Sequence, residues 1–375
     1  MKLKLFNRRR FIKEGTKAAA GVTLLSVSGK AVVAAQQAPR IRFSVIGINH
    51  GHIYGMVDAV TRGGGQLVSF YAKEADLAAD FLKKYPYARQ ARSQKEVLEE
   101  KDTQLILSAG IPVERAPLGI EAMKHGKDYL ADKPGITTLE QLAQVKKAQK
   151  ETKRIYSIMY SERLENKATV KAGELIKTGI IGDVIQTIGL GPHRMNAGSR
   201  PEWFFDKKYF GGIISDIGSH QMDQFLFFTG STRAEIVSAQ TGNVHHPQYP
   251  QFEDFGDVVV RGNKGTGYLR VDWFTPDGLK TWGDGRLTVL GTEGYMELRK
   301  YIDITGRSGG NHLMVVNQKE TVYVDCTNQE LPFGEQLVND IINRTETAMT
   351  QEHCFLATEL TLKAQAAAQP LNFVK

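Results

Sequence analysis

Residues 41–160 alternate short apolar segments with longer amphipathic ones, and this alternation limits the possible fold more than any other feature of the chain. The apolar segments have the length of buried strands, and the amphipathic segments have the length of helices. The predicted strands are 41–47, 66–71, 104–109, 128–131 and 156–160, and the predicted helices are 51–61, 77–85, 116–125 and 137–152. Strands that alternate with helices in this way predict a doubly wound parallel sheet.

The turn after the first predicted strand indicates what such a sheet could bind. Residues 47–55 read Gly-Ile-Asn-His-Gly-His-Ile-Tyr-Gly. Dinucleotide-binding sheets use glycine at the first, third and sixth positions of this turn, for a tight bend, close approach of the pyrophosphate and helix packing. Here those positions hold Gly47, Asn49 and His52, and asparagine tolerates left-handed backbone better than most residues. Residues 41–160 are therefore predicted to form a Rossmann dinucleotide-binding domain with an altered phosphate turn.

The end of the second predicted strand bears on the choice between NAD and NADP. An acidic residue normally follows this strand and binds the ribose hydroxyls. Ala72 and Lys73 take that place, and Glu74 comes next. The loss of the acid and the gain of a lysine favour a 2′-phosphate slightly, so both cofactors stay open. The predicted cofactor contacts are Gly47, Asn49, His50, His52, Ala72, Lys73, Ala109, Asp132 and Lys133.

Two polar stretches are candidates for the chemistry. Lys133 follows the fourth predicted strand, at the edge of the sheet where ligands bind, although a lysine in a surface loop is the alternative. Residues 211–223 place Asp216 and His220 four positions apart, and therefore on one face of a helix. A carboxylate near an imidazole can tune a proton-transfer group near neutral pH. The alternative for this stretch is a helix start with a solvated polar face.

The second half of the chain has a different pattern. Long runs of alternating polar and apolar residues lie at 184–189, 234–240, 256–261, 267–274 and 287–299. Such runs predict a large, open, mainly antiparallel sheet, so we expect residues 161–375 to form an α+β domain for substrate binding and oligomerisation. Cys326 and Cys354 are the two cysteines, and two free thiols are a simpler interpretation than one disulfide.

Loops in this half combine aromatic and polar side chains, as sugar sites do. His193 follows one strand-like run, and Trp273 and Trp282 lie in loops that also contain acidic residues. Turn chemistry with exposed aromatic rings, or a subunit interface, is the alternative. The adjacent pair His245 and His246 cannot easily chelate one ion, so no metal is expected.

The charge of the chain is concentrated at its N-terminus. Residues 1–40 hold nine of the 48 Lys and Arg but one of the 41 Asp and Glu, so the rest is nearly neutral and gives no electrostatic case for nucleic-acid binding. Arg8 and Arg9 precede a short apolar run and then small residues at 31–35. This order resembles a twin-arginine export signal over residues 1–35, which implies contact with the twin-arginine translocase and a periplasmic or otherwise exported protein. A basic amphipathic anchor is the alternative.

Three motifs together are similar to the Gfo/Idh/MocA oxidoreductases, the family of glucose–fructose oxidoreductase and inositol dehydrogenase. They are Gly126-Lys127-Asp128-Tyr129-Leu130-Ala131-Asp132-Lys133-Pro134, Ile176-Lys177-Thr178-Gly179-Ile180-Ile181-Gly182-Asp183-Val184 and Gly211–Asp223. The resemblance covers residues 41–370 and implies NAD(P) as cofactor, with NAD slightly preferred, and a dimer or tetramer of the chain. In two places the chain departs from the family's pattern: Asp132 replaces the glutamate of the family's motif, and the glycine turn is altered.

The resemblance also implies roles for individual residues. Lys133, Asp216 and His220 fall on the family's catalytic positions: Lys133 would hold a sugar hydroxyl, His220 would act as general base, and Asp216 would orient His220 or bind an adjacent hydroxyl. Arg163 resembles the arginine at the junction of the two domains. The predicted substrate contacts are Arg163, His193, Asp216, His220, Trp273 and Trp282.

These observations lead to one expected function and two alternatives. We expect an exported NAD(P)-dependent oxidoreductase that acts on a hydroxyl of a sugar or glycoside and holds its cofactor tightly. The first alternative is an NAD-dependent glycosidase that works by transient oxidation and elimination. The second is a non-catalytic sugar-binding protein with a decayed nucleotide site.

Overall fold

The structure is a computed structural model that describes residues 38–371, so the predicted export signal at 1–35 lies outside the described residues. Within residues 38–371 no helix combines the length and the apolar character needed to cross a membrane. Both cysteines are buried free thiols, as predicted.

The first half forms the predicted parallel sheet. Its strands are β1 (Ile41–Ile46), β2 (Gly65–Tyr71), β3 (Arg89–Gln90), β4 (Leu105–Ser108), β5 (Asp128–Asp132) and β6 (Tyr156–Met159). They pair in parallel in the order β3-β2-β1-β4-β5-β6. The chain runs outward from β1 in one direction and then from β4 in the other, so the order reverses between β1 and β4. Ligands bind beyond the carboxyl ends of the strands at such a reversal.

Helices connect and flank these strands. They are α1 (His52–Arg62), α2 (Ala75–Lys84), α3 (Gln94–Leu98), α4 (Pro112–Lys124) and α5 (Leu139–Thr152). Helix α1 shows why the pattern folds this way, because Ile53, Met56, Val57 and Val60 recur at helical spacing and are all buried. Helix α4 begins four residues earlier than predicted, with Pro112 in its first turn, where a proline costs no hydrogen bond.

The second half forms a nine-stranded sheet. Its strands are β7 (Val184–Pro192), β8 (Ala234–Gly242), β9 (Phe255–Gly262), β10 (Thr266–Asp272), β11 (Arg286–Gly291), β12 (Gly294–Arg299), β13 (His312–Asn317), β14 (Thr321–Asp325) and β15 (Gln369–Pro370). The order is β14-β13-β12-β11-β7-β10-β9-β8-β15, and every pair is antiparallel except β7 with β10 and β8 with β15. The predicted fold class is confirmed for both halves.

The helices of the second half cover one face of this sheet and return to the first half. They are α6 (Ser161–Leu164), α7 (Lys167–Ile176), α8 (Lys207–Phe210), α9 (Ile213–Asp216), α10 (Gly218–Thr229), α11 (Phe333–Asn343) and α12 (Gln351–Ala367). Helix α10 packs closely against β7 because Gly189 and Gly191 leave room for the side chain of Gln221. A Cβ at Gly189 would lie 2.7 Å from Cγ of Gln221. Helix α11 packs on α1, and α12 packs on α5, β6 and β8.

Candidate active site

A cavity lies where the carboxyl ends of β1 and β5 meet helix α9 and the second sheet. The predicted site residues that line it are Asn49, His50, His52, Lys133, His193, Asp216 and Trp273. These residues span the chain from the altered glycine turn to the end of β10. The fold therefore brings together groups that the sequence separates by more than 200 positions.

A buried ion pair joins the two halves in this cavity. Lys133 Nζ lies 2.8 Å from Asp216 Oδ1, and the side chains are 4% and 12% exposed. Burial alone would raise the pKa of Asp216, but the charge of Lys133 and its hydrogen bond bring that pKa below its ordinary value. Asp216 is therefore ionised at neutral pH, and its Oδ2 accepts no hydrogen bond from residues 38–371.

The start of α9 fixes the position of Asp216. Gly212 has a φ of +96°, which favours glycine, and a Cβ there would lie 2.3 Å from the side chain of Gln365. Ile213 N donates to Glu253 Oε2 at 3.0 Å, and Ile214 N donates to Gln365 Oε1 at 2.9 Å. Two side chains from other elements thus satisfy the first N–H groups of this short helix.

His220 lies deeper than the sequence suggested. It is 2% exposed, it is not part of the cavity lining, and its Nδ1 is buried without a partner among the described residues. Burial lowers its pKa to about 4, although the nearby Glu162 carboxylate raises it, so the ring is neutral at pH 7. Helices α9 and α10 are separate, and no hydrogen bond joins Asp216 to His220 in the described part of the chain.

Glu162 and Lys300 form a second buried pair near His220, which the sequence analysis missed. Lys300 is fully buried and its Nζ donates to Glu162 Oε2. Burial would raise the pKa of Glu162, but the charge and hydrogen bond of Lys300 together with the nearby His220 and His193 outweigh burial and lower the pKa to about 2. Glu162 lies in α6, three residues after the end of β6, and an acid close to the carboxyl end of a parallel strand was the signal that could have identified it.

Two predicted substrate contacts have other partners. Arg163 makes a bidentate pair with Asp223, at 2.6 and 2.8 Å, and His353 Nε2 lies 2.8 Å from the same carboxylate. Trp282 is 41% exposed and its ring lies 4.5 Å from His193. Neither Arg163 nor Trp282 lines the cavity, so their predicted contact with substrate stays a prediction.

The altered glycine turn borders a second cleft at the ends of β1 and β2. Gly47 has a φ of +79°, and a Cβ there would lie 2.8 Å from the Cα of Gly110, so only glycine fits. Asn49 lines both cavities, and its Nδ2 donates to Glu74 Oε1 at 2.8 Å. Ala72 and Lys73 line this cleft, whereas Ala109 holds the turn by backbone bonds to Gly47 and His50.

Asp132 connects the altered turn to Lys133. It is 1% exposed, and its carboxylate lies 2.6 Å from His50 Nδ1 and 2.9 Å from His52 Nδ1. It also accepts from Lys133 N at 2.8 Å and lies 3.2 Å from the guanidinium of Arg115. Burial would raise the pKa of Asp132, but these neighbours hold it well below its ordinary value. Arg115, in the first turns of α4, was missed because the sequence placed that helix too late.

Comparisons with known proteins agree with this architecture. The sequence profile of the GFO/IDH/MocA C-terminal domain matches residues 169–297. A protein from Erwinia carotovora atroseptica SCRI1043, assigned as an oxidoreductase, is 45% identical over 88% of this chain and 100% of its own, with a TM-score of 0.86. No curated protein sequence matches.

Two more distant structures share the fold. Levoglucosan dehydrogenase, in complex with NADH and levoglucosan, is 16% identical over 87% of this chain and 97% of its own, with a TM-score of 0.72. KijD10, a 3-ketoreductase from Actinomadura kijaniata in complex with NADP and TDP-benzene, is 15% identical over 90% and 100%, with a TM-score of 0.70. Together with the relative from Erwinia, the domain match establishes that this chain belongs to the Gfo/Idh/MocA oxidoreductase family.

Proposed function

We propose that this protein catalyses the NAD(P)-dependent oxidation or reduction of a hydroxyl group of a sugar or glycoside. The observation that carries the proposal is the buried Lys133–Asp216 pair, which faces the cavity at the carboxyl edge of the parallel sheet. Two proteins of the same fold bind NADH with levoglucosan and NADP with TDP-benzene, which supports the reaction class.

The altered turn still fits a dinucleotide. The backbone N–H groups of Gly51 and His52, at the start of α1, donate to no acceptor among the described residues. Free N–H groups at a helix N-terminus bind phosphate, so these two would hold the pyrophosphate. Gly47 has no side chain, so the phosphates can approach the backbone of the turn closely. Glu74 lines the second cleft, where the ribose hydroxyls would bind. When bound, NAD(P) supplies the hydride acceptor or donor.

The charges of the second cleft favour NAD over NADP. Lys73 Nζ lies 2.9 Å from Glu114 Oε1, and Glu74 lines the same cleft. Two carboxylates therefore accompany the one lysine. A 2′-phosphate would meet more negative than positive charge there, so we propose NAD as the preferred cofactor.

The chain's own residues would hold and deprotonate the sugar. Lys133 would donate a hydrogen bond to the reacting oxygen, and the free Oδ2 of Asp216 would accept one from a neighbouring hydroxyl. Trp273 is 5% exposed and would form an apolar wall against the sugar ring. A neutral histidine would accept the hydroxyl proton, a role that the resemblance gives to His220.

The open sheet supports a homo-oligomer. Large apolar residues on several of its strands are between 36% and 44% exposed, and they alternate with buried ones. They include Ile185, Ile188, Val259, Leu290, Tyr295 and Tyr323. Exposed apolar side chains on several neighbouring strands of a sheet can mark an interaction surface, so we propose that two copies of the chain pack through this sheet.

The N-terminal arginines motivate a proposal about location. We propose export by the twin-arginine pathway, with NAD(P) bound before export. Little free nicotinamide is available outside the cytoplasm, so the reaction would be redox-neutral, with one sugar reducing the cofactor and another reoxidising it. Exchange of both Arg8 and Arg9 for lysine should leave the protein in the cytoplasmic fraction, whereas unchanged export would contradict the pathway.

One experiment tests the activity. The purified mature protein is denatured, the released nucleotide is identified, and the native protein is screened with sugars for a change in nicotinamide absorbance. Bound NAD(P) and a sugar-dependent change are expected. Protein that neither contains nor binds a nucleotide would contradict the proposal and favour a sugar-binding protein, whereas release of an aglycone without net nicotinamide change would favour a glycosidase.

A further inference from the structure

Three histidines line the cavity, and each uses Nδ1 in a bond to a group that can only accept. His50 and His52 both lie against Asp132, at 2.6 and 2.9 Å. His193 Nδ1 lies 3.1 Å from the carbonyl oxygen of Gly191. The Nε2 atoms of these rings have no protein partner among residues 38–371, so they remain available to a ligand in the cavity.

The protonation of Asp132 fixes the tautomer of two of these rings. An ionised carboxylate accepts hydrogen bonds and cannot donate them. Because the pKa of Asp132 is well below its ordinary value, both Nδ1 atoms must carry the hydrogen. An uncharged ring with its hydrogen on Nδ1 carries a lone pair on Nε2, which is the arrangement that an aspartate gives to a histidine base in hydrolases.

The side chains of His50, His52 and Asp132 offer ligand atoms within 4.8 Å of one another, which raises the question of a metal ion. Asp132, however, already accepts from two rings and from the backbone of Lys133, and it lies 3.2 Å from Arg115. An ion bound here would displace these donors and lie beside a buried guanidinium. The contacts therefore favour a carboxylate that holds two histidines over a carboxylate that ligates a metal.

His50 is better placed than His52 or His220 to act on a ligand. Its backbone N–H donates to Ala109 O, so main chain and ring are both fixed. Its ring lines the same cavity as the Lys133–Asp216 pair, and its side chain is less exposed than that of His52, at 29% against 39%. His220, in contrast, lies outside the cavity lining and has no partner on Nδ1 to fix its tautomer.

We propose that His50 is the proton acceptor of this cavity, with Asp132 as its positioning residue. The inference rests on the proposed oxidoreductase function and assigns to His50 the role that the resemblance gives to His220. In the oxidation, the hydroxyl proton passes to His50 Nε2 and the O–H electron pair forms the C=O bond. Bound NAD(P)⁺ would supply the acceptor for the hydride of the same carbon. The resulting imidazolium is stabilised by the Asp132 carboxylate. Reduction runs the same steps in reverse.

The tautomer can be measured without any activity assay. In protein labelled with ¹⁵N-histidine, long-range ¹H–¹⁵N spectra distinguish Nδ1–H from Nε2–H rings, and single variants assign the nine histidines of the chain. Both His50 and His52 should be in the Nδ1–H form. In Asp132→Asn the amide can accept from one ring but must donate to the other, so one ring should change to Nε2–H. Two Nε2–H rings in the wild type, or stoichiometric metal in the purified protein, would overturn the assignment.

Kinetics then test the role. Asparagine at position 50 can donate to Asp132 as Nδ1–H does, but it offers no Nε2, so His50→Asn should keep its nucleotide and lose about 100-fold or more in kcat. His50→Ala should recover part of its turnover with added imidazole, which a merely structural role would not allow. The matched control is His246→Asn, because His246 Nδ1 lies 2.8 Å from Asp254 in a loop outside the cavity lining; its turnover should not change.

The outcomes separate the inference from the proposed function. If His50→Asn turns over sugar at the wild-type rate, His50 is not the proton acceptor, and the proposed oxidoreductase function is unaffected. Loss of turnover in His220→Ala that imidazole restores, with His50→Ala unaffected, would return the role to His220. If the wild-type protein binds no nucleotide and turns over no sugar, both the role of His50 and the proposed oxidoreductase function are wrong.

Discussion

Replacement of Lys133 by methionine tests how strongly the buried charges of the cavity depend on each other. Methionine keeps most of the length of the side chain and removes the ammonium group that lies 2.8 Å from Asp216. Burial, which raises the pKa of Asp216, would then be unopposed by Lys133. Loss of one partner of a buried pair costs about 3–5 kcal/mol.

The cost also has an upper bound, because the carboxyl can take up a proton instead of staying charged. A shift from an ordinary pKa of about 3.9 to pH 7 corresponds to about 4 kcal/mol, at about 1.36 kcal/mol for each pKa unit. Lys133→Met should therefore lower the free energy of unfolding by about 3–4 kcal/mol at pH 7.

The effect should depend on pH in a defined direction. In the wild type the folded pKa of Asp216 is lowered, so the group adds stability above its unfolded pKa and loses it as the pH falls through the folded value. In Lys133→Met the folded pKa should be raised, so the penalty is present at neutral pH and disappears below the unfolded pKa. The difference between the two proteins should be largest at pH 7 and shrink towards pH 4.

Urea unfolding of a double-mutant cycle measures this coupling. Asp216→Asn leaves Lys133 without its partner, whereas Lys133→Met combined with Asp216→Asn leaves no buried charge. The double variant should lose about 2–3 kcal/mol less than the sum of the single losses. Lys83→Met, which removes an exposed pair with Asp80, is the control and should leave the free energy of unfolding nearly unchanged. Additive losses, or a difference that does not vary with pH, would refute the electrostatic reasoning.

Two further predictions concern the glycine turn and the histidines. Gly47→Ala should lower the free energy of unfolding by about 1–3 kcal/mol and weaken nucleotide binding, because its φ is +79° and its Cβ would meet backbone. Gly55 lies inside α1, and no atom lies within 4 Å of an added Cβ, so Gly55→Ala should raise the free energy of unfolding by about 0.5–1 kcal/mol. Equal changes of the two variants in thermal melts would contradict the argument. Burial lowers the pKa of His50 to about 4, of His193 to about 3 and of His220 to about 4. We therefore expect kcat/KM to stay constant between pH 8 and about pH 5.5. A decrease of kcat/KM near pH 6.5 would be inconsistent with these lowered pKa values.

The same lowered pKa values predict a loss of stability in acid. The unfolded chain takes up protons on these histidines below about pH 6.5, whereas the folded chain does not until the pH is well below that value. The free energy of unfolding should therefore fall as the pH drops from about 6.5 towards 4, which chemical denaturation at a series of pH values would show.

The sequence predicted most of the first sheet, because buried parallel strands are apolar on both faces and their helices have regular apolar spacing. It missed β3, which is two residues long, and it placed the start of α4 too late, so Arg115 was not recognised. It also treated residues 211–223 as one helix, whereas Ile217 separates α9 from α10 and Asp216 pairs with Lys133 rather than with His220.

By itself the sequence determined the fold class, the order of its elements and the residue types available for chemistry, since these follow from local periodicity and from motifs a few residues long. Only the tertiary structure decided which of these residues meet. Asp132 looked like a shortened version of a family residue, but the fold places it against two histidines 80 and 82 positions away and against Arg115. Such pairings depend on how strands and helices pack across the whole chain, and no local pattern encodes them.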